Sequence, residues 1–192
     1  MIIDISKYQS QIDWHKLKTN SQGVTGVYIK ATEGHNYTDE QFRQHVAGAE
    51  SIQFDKGFYH FATLNSTNVV ADATQEATDF AARVKGIIVR LPYVLDIEAN
   101  PIKLSPDDTL LYIKTFFVTL EKNGITDIAI YSYTPFLNSN LPDGHGLGDI
   151  KLWLAAYAPF YLLPRGWYEC WLWQFSQNGI VDGITGNVDL SK

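Results

Sequence analysis

The fold is decided by one stretch, which reads Leu91-Pro92-Tyr93-Val94-Leu95-Asp96-Ile97-Glu98-Ala99-Asn100. Its apolar residues fall on both faces of an extended chain, which predicts a strand buried on both sides, as in a parallel sheet covered by helices. The proline stands at the strand start, where a missing N–H is tolerated. The strand ends in two carboxylates, whose side chains point the same way from Cα atoms roughly 6.6 Å apart.

The acid pair at Asp96 and Glu98 predicts unusual protonation. Two carboxylates held this close in apolar surroundings raise each other's pKa, and burial raises both further. One acid kept protonated beside one kept ionised is the arrangement that glycoside hydrolysis uses. On these residues alone, a pair of helix-capping or salt-bridged acids at a strand end explains the pattern equally well.

Composition excludes several classes of function. The length of 192 residues predicts one domain with its own core, and 45% hydrophobic with 19% charged residues is typical of a soluble globular protein. A net charge of −6 argues against nucleic acid as a partner. No apolar run reaches the ~20 residues of a membrane span, and Asp4 and Lys7 interrupt any signal-peptide core. We therefore expect no nucleic-acid or membrane partner, and synthesis in the cytoplasm without a signal peptide, unless a leader has been removed.

Strands and helices alternate along most of the chain. Predicted strands cover residues 1–6, 24–31, 57–62, 91–100 and 128–132. Predicted helices cover 13–18, 38–49, 69–85 and 105–123, the second starting from a capping box at 38–41, and a short helical turn follows near 135–139. This order implies parallel strands joined by right-handed crossovers.

The pattern changes after residue 140. Residues 151–157 and 171–177 have the composition of strands, and Asn187-Val188-Asp189-Leu190 follows a glycine-punctuated tail. A regular eightfold strand–helix barrel needs ~250 residues, more than this chain has. We predict five strand–helix units followed by a β-rich closure.

Motifs along the chain resemble those of a known family. They are Asp4-Ile5-Ser6-Lys7-Tyr8-Gln9 followed by Ile12-Asp13-Trp14, Tyr28-Ile29-Lys30-Ala31-Thr32-Glu33-Gly34, Gly57-Phe58-Tyr59-His60-Phe61, Asp96-x-Glu98, Tyr131-Ser132, Leu152-Trp153-Leu154-Ala155-Ala156-Tyr157, Trp173-Gln174-Phe175 and Asn187-Val188-Asp189-Leu190. Together they resemble glycoside hydrolase family 25, which contains the Chalaropsis-type lysozymes and many phage endolysins. The resemblance runs from residue 4 to residue 190 in the family's order.

The resemblance implies a fold and an activity. The fold would be an α/β, irregular TIM-like (β/α)5β3 barrel, with residues 1–192 as a single catalytic domain and no separate cell-wall-binding domain. The activity would be hydrolysis, with net retention and without a cofactor, of the β-1,4 bond between N-acetylmuramic acid and N-acetylglucosamine in bacterial peptidoglycan. The enzyme would act as a monomer and reach the wall by holin-type release if phage-encoded, or by secretion.

The resemblance also assigns roles. Glu98 would be the general acid/base, and Asp96 would stabilise the developing positive charge or orient the substrate's acetamido group. Asp4 and Asp189 would be the other two acids of the site. The cleft residues that bind substrate would be Lys30, Tyr59, His60, Tyr131 and Tyr157.

Position along the predicted strands supports these assignments. Barrel chemistry sits at the C-terminal ends of strands, and the residues at or near those ends in strands one to five are Asp4, Lys30, His60, Glu98 and Tyr131. Simpler explanations exist for three of them: Asp4 as a cap, His60 as a hydrogen-bonded core residue, and Lys30 as the partner of Glu33 or a barrel acid.

The fourth acid has two candidates, Asp182 and Asp189. Asp182 precedes Gly183, which is typical of a turn, so Asp189 is favoured.

Two other functions compete with a retaining muramidase. A different acetamido-sugar hydrolase, such as a chitinase with its D-x-x-D-x-D-x-E signature, would need acids where Leu91 and Val94 stand. A catalytically silent sugar-binding barrel would be expected to have lost the acid that Glu98 provides. We expect no metal site, because the five histidines show no ligand spacing.

Overall fold

The computed structural model describes all 192 residues and contains nine strands and five α-helices. The strands are β1 (Ile2–Ile5), β2 (Gly26–Glu33), β3 (Tyr37–Thr38), β4 (Asp55–Phe61), β5 (Tyr93–Asp96), β6 (Ile128–Ser132), β7 (Lys151–Ala155), β8 (Leu172–Gly179) and β9 (Val188–Ser191). The helices are α1 (Trp14–Lys18), α2 (Phe42–Ile52), α3 (Val69–Val84), α4 (Pro106–Lys122) and α5 (Thr134–Asn140), and a 3-10 turn covers Lys7–Gln9.

Eight of the strands close into a barrel. Neighbours in the sheet follow the order β1-β9-β8-β7-β6-β5-β4-β2, and a parallel pairing of β1 with β2 completes the circle. All neighbouring pairs are parallel except those of β9, which runs antiparallel to both β8 and β1. The two-residue β3 is an antiparallel appendage of β2. Five strand–helix units followed by three strands confirm the predicted (β/α)5β3 fold.

Helices α3 and α4 begin within one residue of their predicted starts, and each has a capping residue there. The Ser105 side chain accepts the backbone N–H of Asp108 at the start of α4, and Pro106 occupies the first turn. Asn68 caps α3 in the same way by accepting the N–H of Ala71. Gly124 follows α4 with φ +83°, a left-handed conformation that glycine adopts without steric cost.

The predicted capping box at residues 38–41 is wrong. Thr38 belongs to β3, and α2 begins at Phe42 with no side-chain cap. The Asp39 carboxylate accepts the backbone N–H groups of Lys7 and Gln41, each at 3.0 Å. This acid therefore ties the loop after β1 to the loop before α2.

The core has two layers, separated by the barrel wall. Ile3 and Ile5 belong to the large outer cluster between strands and helices, whereas Ile2 packs against the smaller inner cluster, as strand alternation predicts. Inside the barrel, the Trp153 ring stacks on Tyr28 with centroids 4.5 Å apart. Tyr28 and Trp153 are both members of the inner cluster. No helix has the length and apolarity needed to span a membrane.

Candidate active site

Four carboxylates meet at the C-terminal end of the barrel. Asp4, Asp96, Glu98 and Asp189 line one cavity of about 410 Å³. Asp4 on β1 stands opposite Asp189 on the antiparallel β9, so the first and last strands contribute one acid each. Lys30, Tyr59 and Tyr131, predicted as cleft residues, line the same cavity.

The β5 strand ends earlier than predicted, at Asp96, so Glu98 lies in the segment that follows it. This segment is nevertheless held in place. The Ile97 N–H donates to the Tyr131 carbonyl at 3.0 Å, and the Ile97 carbonyl accepts from Ser132 Oγ at 2.6 Å. The Tyr133 hydroxyl donates to the Glu98 carbonyl at 3.2 Å. Hydrogen bonds to β6 and the residue after it therefore position Glu98 although it is outside the strand ladder.

Burial raises the pKa of all four acids. The pKa values of Asp4 and Asp96 are raised well above their usual range, first by burial and then by the charges of Asp189 and Glu98 respectively. Burial also raises the pKa of Glu98, with the charge of Asp189 adding to it and that of Lys30 opposing it. The sequence predicts that Asp96 and Glu98 raise each other's pKa. The charge of Glu98 does raise the pKa of Asp96, whereas the charge that raises the pKa of Glu98 is that of Asp189, and burial is the larger cause for both.

Asp96 has an oxygen without a partner. Its Oδ1 is buried and accepts no hydrogen bond from the protein. The nearby cation is Lys30, which forms an ion pair with Glu33 at 2.6 Å, as the simpler explanation of this lysine predicts. Its Nζ also lies 4.7 Å from the centre of the Phe61 ring. Asp96 is thus a buried acid that lines the cavity and whose Oδ1 has no hydrogen-bond donor in the protein.

The amide of Gln174 joins the acids to two tyrosines. Its Nε2 donates to Asp4 Oδ2 at 2.9 Å and lies 3.5 Å from Asp189 Oδ2. Its Oε1 accepts from the hydroxyls of Tyr131 at 2.8 Å and Tyr157 at 2.6 Å. Gln174 is only 1% exposed, so this buried amide is fully used. The sequence analysis missed its role, although a lone amide between two aromatic residues on a predicted barrel strand is a usable signal.

A second cavity continues the cleft. Its volume is about 790 Å³, and it shares Glu98, Tyr131, Gln177 and Asp189 with the first. Its outer wall is mostly aromatic and apolar: Tyr133, Tyr157, Phe160, Tyr161 and Leu162. The two cavities form one open groove with the acids in the middle, a shape that accepts a long chain. Tyr157, predicted as a cleft residue, lies in this second part.

His60 does not reach the cleft, so its prediction as a cleft residue is wrong. Its side chain is fully buried, with Nδ1 2.8 Å from Thr32 Oγ1 and Nε2 2.6 Å from Glu76 Oε2. Tyr59 and His60 are adjacent on β4, and adjacent strand residues face opposite sides. Since Tyr59 lines the cleft, His60 faces the helices, where its ring lies 5.1 Å from that of Phe116.

Asp189 rather than Asp182 belongs to the acid cluster. Asp182 lies in an exposed turn, where its Oδ2 accepts from Ser21 Oγ at 2.8 Å and from the Ser21 N–H at 3.1 Å. It lines neither part of the groove. The turn predicted from Asp182-Gly183 is therefore correct.

The groove itself offers carboxylates and a lysine but no histidine. Its acids are half-buried or buried and sit among tyrosines, an arrangement suited to proton transfer at an uncharged substrate. The one group of three histidine and carboxylate side chains whose donor atoms lie close together is outside the groove, at His35, Asp72 and Glu76.

Comparison with known proteins agrees with this geometry. The family model described as "Glycosyl hydrolases family 25" matches residues 3–184. Lysozyme M1 of Streptomyces globisporus is 31% identical over 99% of this chain and 66% of its own length. The autolytic lysozyme of Clostridium acetobutylicum is 32% identical over 99% of this chain and 54% of its own length. The chain thus spans less than two thirds of these two relatives.

A solved structure shares the fold. The bacterial lysozyme from Streptomyces coelicolor superposes with a TM-score of 0.89 at 32% identity, covering 99% of this chain and 89% of that one. The similarity therefore extends over the whole barrel, including the strands that carry the four acids.

Proposed function

This chain belongs to glycosyl hydrolases family 25, and we propose that it is a peptidoglycan muramidase. It would hydrolyse the β-1,4 bond between N-acetylmuramic acid and N-acetylglucosamine. The observation that carries this proposal is the set of four buried or half-buried acids, Asp4, Asp96, Glu98 and Asp189, in the middle of one open groove. Relatives that cover nearly all of this chain bear the name lysozyme, which supports the same substrate class.

Glu98 serves as the general acid and then as the general base. Burial and the charge of Asp189 raise its pKa, so that it keeps a proton at higher pH than an exposed glutamate. That proton passes to the leaving oxygen as the glycosidic bond breaks. The resulting carboxylate then takes a proton from the water that completes hydrolysis.

Asp96 orients and stabilises the sugar whose anomeric carbon becomes positively charged, which is N-acetylmuramic acid. Its carboxylate lines the cavity, accepts a hydrogen bond from the N–H of the 2-acetamido group and orients the acetamide carbonyl toward the anomeric carbon. Attack by that carbonyl oxygen gives a cyclic intermediate, and water then opens it, so that the configuration is retained overall. A carboxylate beside the anomeric carbon also stabilises the oxocarbenium-like transition state.

Asp4, Gln174 and Asp189 hold the opposite wall of the cleft. Gln174 donates to Asp4 and receives two tyrosine hydroxyls, which fixes the acids relative to Tyr131 and Tyr157. The aromatic outer part of the groove provides flat faces for further sugars of the glycan chain.

The enzyme acts as a monomer and has no nucleic-acid or membrane partner. It reaches the cell wall through a holin if it is phage-encoded, or by secretion.

Replacement of Glu98 by glutamine tests the proposal. Glu98→Gln keeps the shape but removes the titrating proton, so lysis of purified cell walls should fall by ~10²-fold or more. The control is Glu121→Gln, an exposed position at the end of α4, which should lyse walls at the normal rate. Near-normal lysis by folded Glu98→Gln would refute the assignment. Tight binding of walls by the unaltered chain without any cleavage would favour the sugar-binding alternative.

The stereochemistry has its own test. Proton NMR of the freshly released reducing end should show the β-anomer first, and an initial α-anomer means inversion. Walls whose muramic acid lacks the N-acetyl group should be cut far more slowly. Equal rates on both walls would make Asp96 a covalent nucleophile instead.

A further inference from the structure

A second cluster of metal-ligating groups lies outside the groove. His35 occupies the turn between β2 and β3, and Asp72 and Glu76 stand one helical turn apart on the same face of α3. One donor atom from each of the three residues lies within 4.8 Å of the others. The sequence prediction of no metal site overlooks this cluster, because His35 and Asp72 are 37 residues apart and meet only in the fold.

The donor distances suit a tetrahedral ion. His35 Nε2 lies 2.6 Å from Asp72 Oδ1 and 3.9 Å from Glu76 Oε1. Ligands about 2.0–2.1 Å from a tetrahedral Zn²⁺ stand roughly 3.4 Å from each other. The two observed separations lie on either side of this value, and all three donor atoms lie within 4.8 Å of one another.

The carboxylate of Asp72 lacks a partner for one oxygen. Its side chain is completely buried, and Oδ2 accepts no hydrogen bond. A buried carboxylate with a free oxygen is costly, and a bound cation would satisfy it.

Glu76 is already held in the manner of a metal ligand. Its Oε2 accepts the Tyr112 hydroxyl at 2.7 Å and lies 2.6 Å from His60 Nε2, while Oε1 accepts the Thr63 hydroxyl at 2.9 Å. Such outer partners orient a ligating carboxylate and tune its affinity. They also explain the buried position of His60, which has no place in the cleft.

We propose that His35, Asp72 and Glu76 form a site for a divalent transition-metal ion of the zinc type. One imidazole with two carboxylates suits zinc better than magnesium or calcium, which prefer oxygen ligands only. His35 is 40% exposed at its side chain, so the ion enters from solvent and keeps one position for water. The bound ion fastens the β2–β3 turn to α3.

Titration of the metal-free chain with Zn²⁺ in a calorimeter tests this site. We expect one ion per chain, and no comparable binding of Mg²⁺. Loss of a residue that only orients a metal ligand weakens metal binding by ~10–100-fold. His35→Ala removes a ligand itself and should weaken Zn²⁺ binding by more than this. The control His15→Ala removes an exposed histidine on α1 and should bind as the unaltered chain does.

Thermal unfolding provides a second readout. Zn²⁺ should raise the unfolding temperature of the unaltered chain by mass action and leave that of His35→Ala unchanged. Asp72→Asn, which keeps the side-chain shape, should also lose the metal-dependent rise. Absence of Zn²⁺ binding to the unaltered chain, or equal binding by His35→Ala, would overturn the proposal.

Discussion

Replacing Gln174 by leucine removes every polar contact of this amide while keeping most of its volume. The donation to Asp4 at 2.9 Å is lost. The hydroxyls of Tyr131 and Tyr157 lose the acceptor they share, at 2.8 and 2.6 Å. Gln174 Oε1 is the one carbonyl oxygen that both hydroxyls share, so the variant measures the contribution of the network to folding.

The free energy of unfolding should fall by about 2–3 kcal/mol. Tyr131 is 8% exposed, so its hydroxyl stays buried and unpaired at a cost of ~1–3 kcal/mol. Tyr157 is half exposed, and water replaces its lost acceptor at a cost on the order of 0.5 kcal/mol. The lost bond to Asp4 costs ~1 kcal/mol, which the apolar surface of leucine offsets in part. The unfolding temperature should drop by roughly 5–10 °C.

Urea unfolding at pH 7, followed by tryptophan fluorescence, measures this change. The matched control is Gln44→Leu on α2, an exposed glutamine whose side chain makes no hydrogen bond, and its stability should stay within about 0.5 kcal/mol. Because the Gln174 amide lowers the pKa of Asp4, the variant should also titrate Asp4 at higher pH. A loss no larger than that of the control would refute the network.

Three further predictions concern Asp96, Asp189 and Gly48. Because the pKa of Asp96 is raised in the folded state, the contribution of this group to stability is present near pH 4 and is lost as the pH rises. Asp96→Asn should therefore unfold at a higher urea concentration than the unaltered chain at pH 7, but not at pH 4. A lower stability of the variant at pH 7 would contradict this. Asp189→Asn should slow wall lysis at least ~10-fold, whereas Asp182→Asn in its distant turn should leave the lysis rate unchanged. A slow Asp182→Asn and a normal Asp189→Asn would exchange the roles of the two acids. Gly48→Ala puts a Cβ against the ring of Trp14, and this overpacking should cost about 1–3 kcal/mol in urea unfolding. An unchanged midpoint would refute this contact.

The sequence predicted the boundaries of strands and helices correctly where neighbouring residues determine them. The β6 strand begins at Ile128 and ends at Ser132 as predicted, and α3 and α4 begin within one residue of their predicted starts. The end of β5 was overestimated, because Ile97 stays buried beyond the strand ladder and burial is all that an apolar pattern reports. The capping box failed because Thr38, its predicted cap, pairs with Thr32 in the sheet, and α2 begins only at Phe42.

The site was predictable where strand position alone brings residues together. The acids at strand ends meet in the cleft because parallel barrel strands end at one rim. The resemblance assigns both Tyr59 and His60 to the cleft, but adjacent residues of a strand face opposite sides, so only Tyr59 lies there. The role of Gln174 depends on contacts with Asp4 and Tyr131, at separations of 170 and 43 residues, which only the closed barrel creates.

The chemical identity of the released sugar end tests the central claim most directly. Purified peptidoglycan is digested with this chain, the fragments are reduced with borohydride, and mass spectrometry identifies the reduced sugar. A muramidase leaves N-acetylmuramic acid at the new reducing end, so every new fragment should carry reduced N-acetylmuramic acid, and Glu98→Gln should release none above background. Fragments that end in reduced N-acetylglucosamine, or a wall left uncut by the folded chain, would contradict the account.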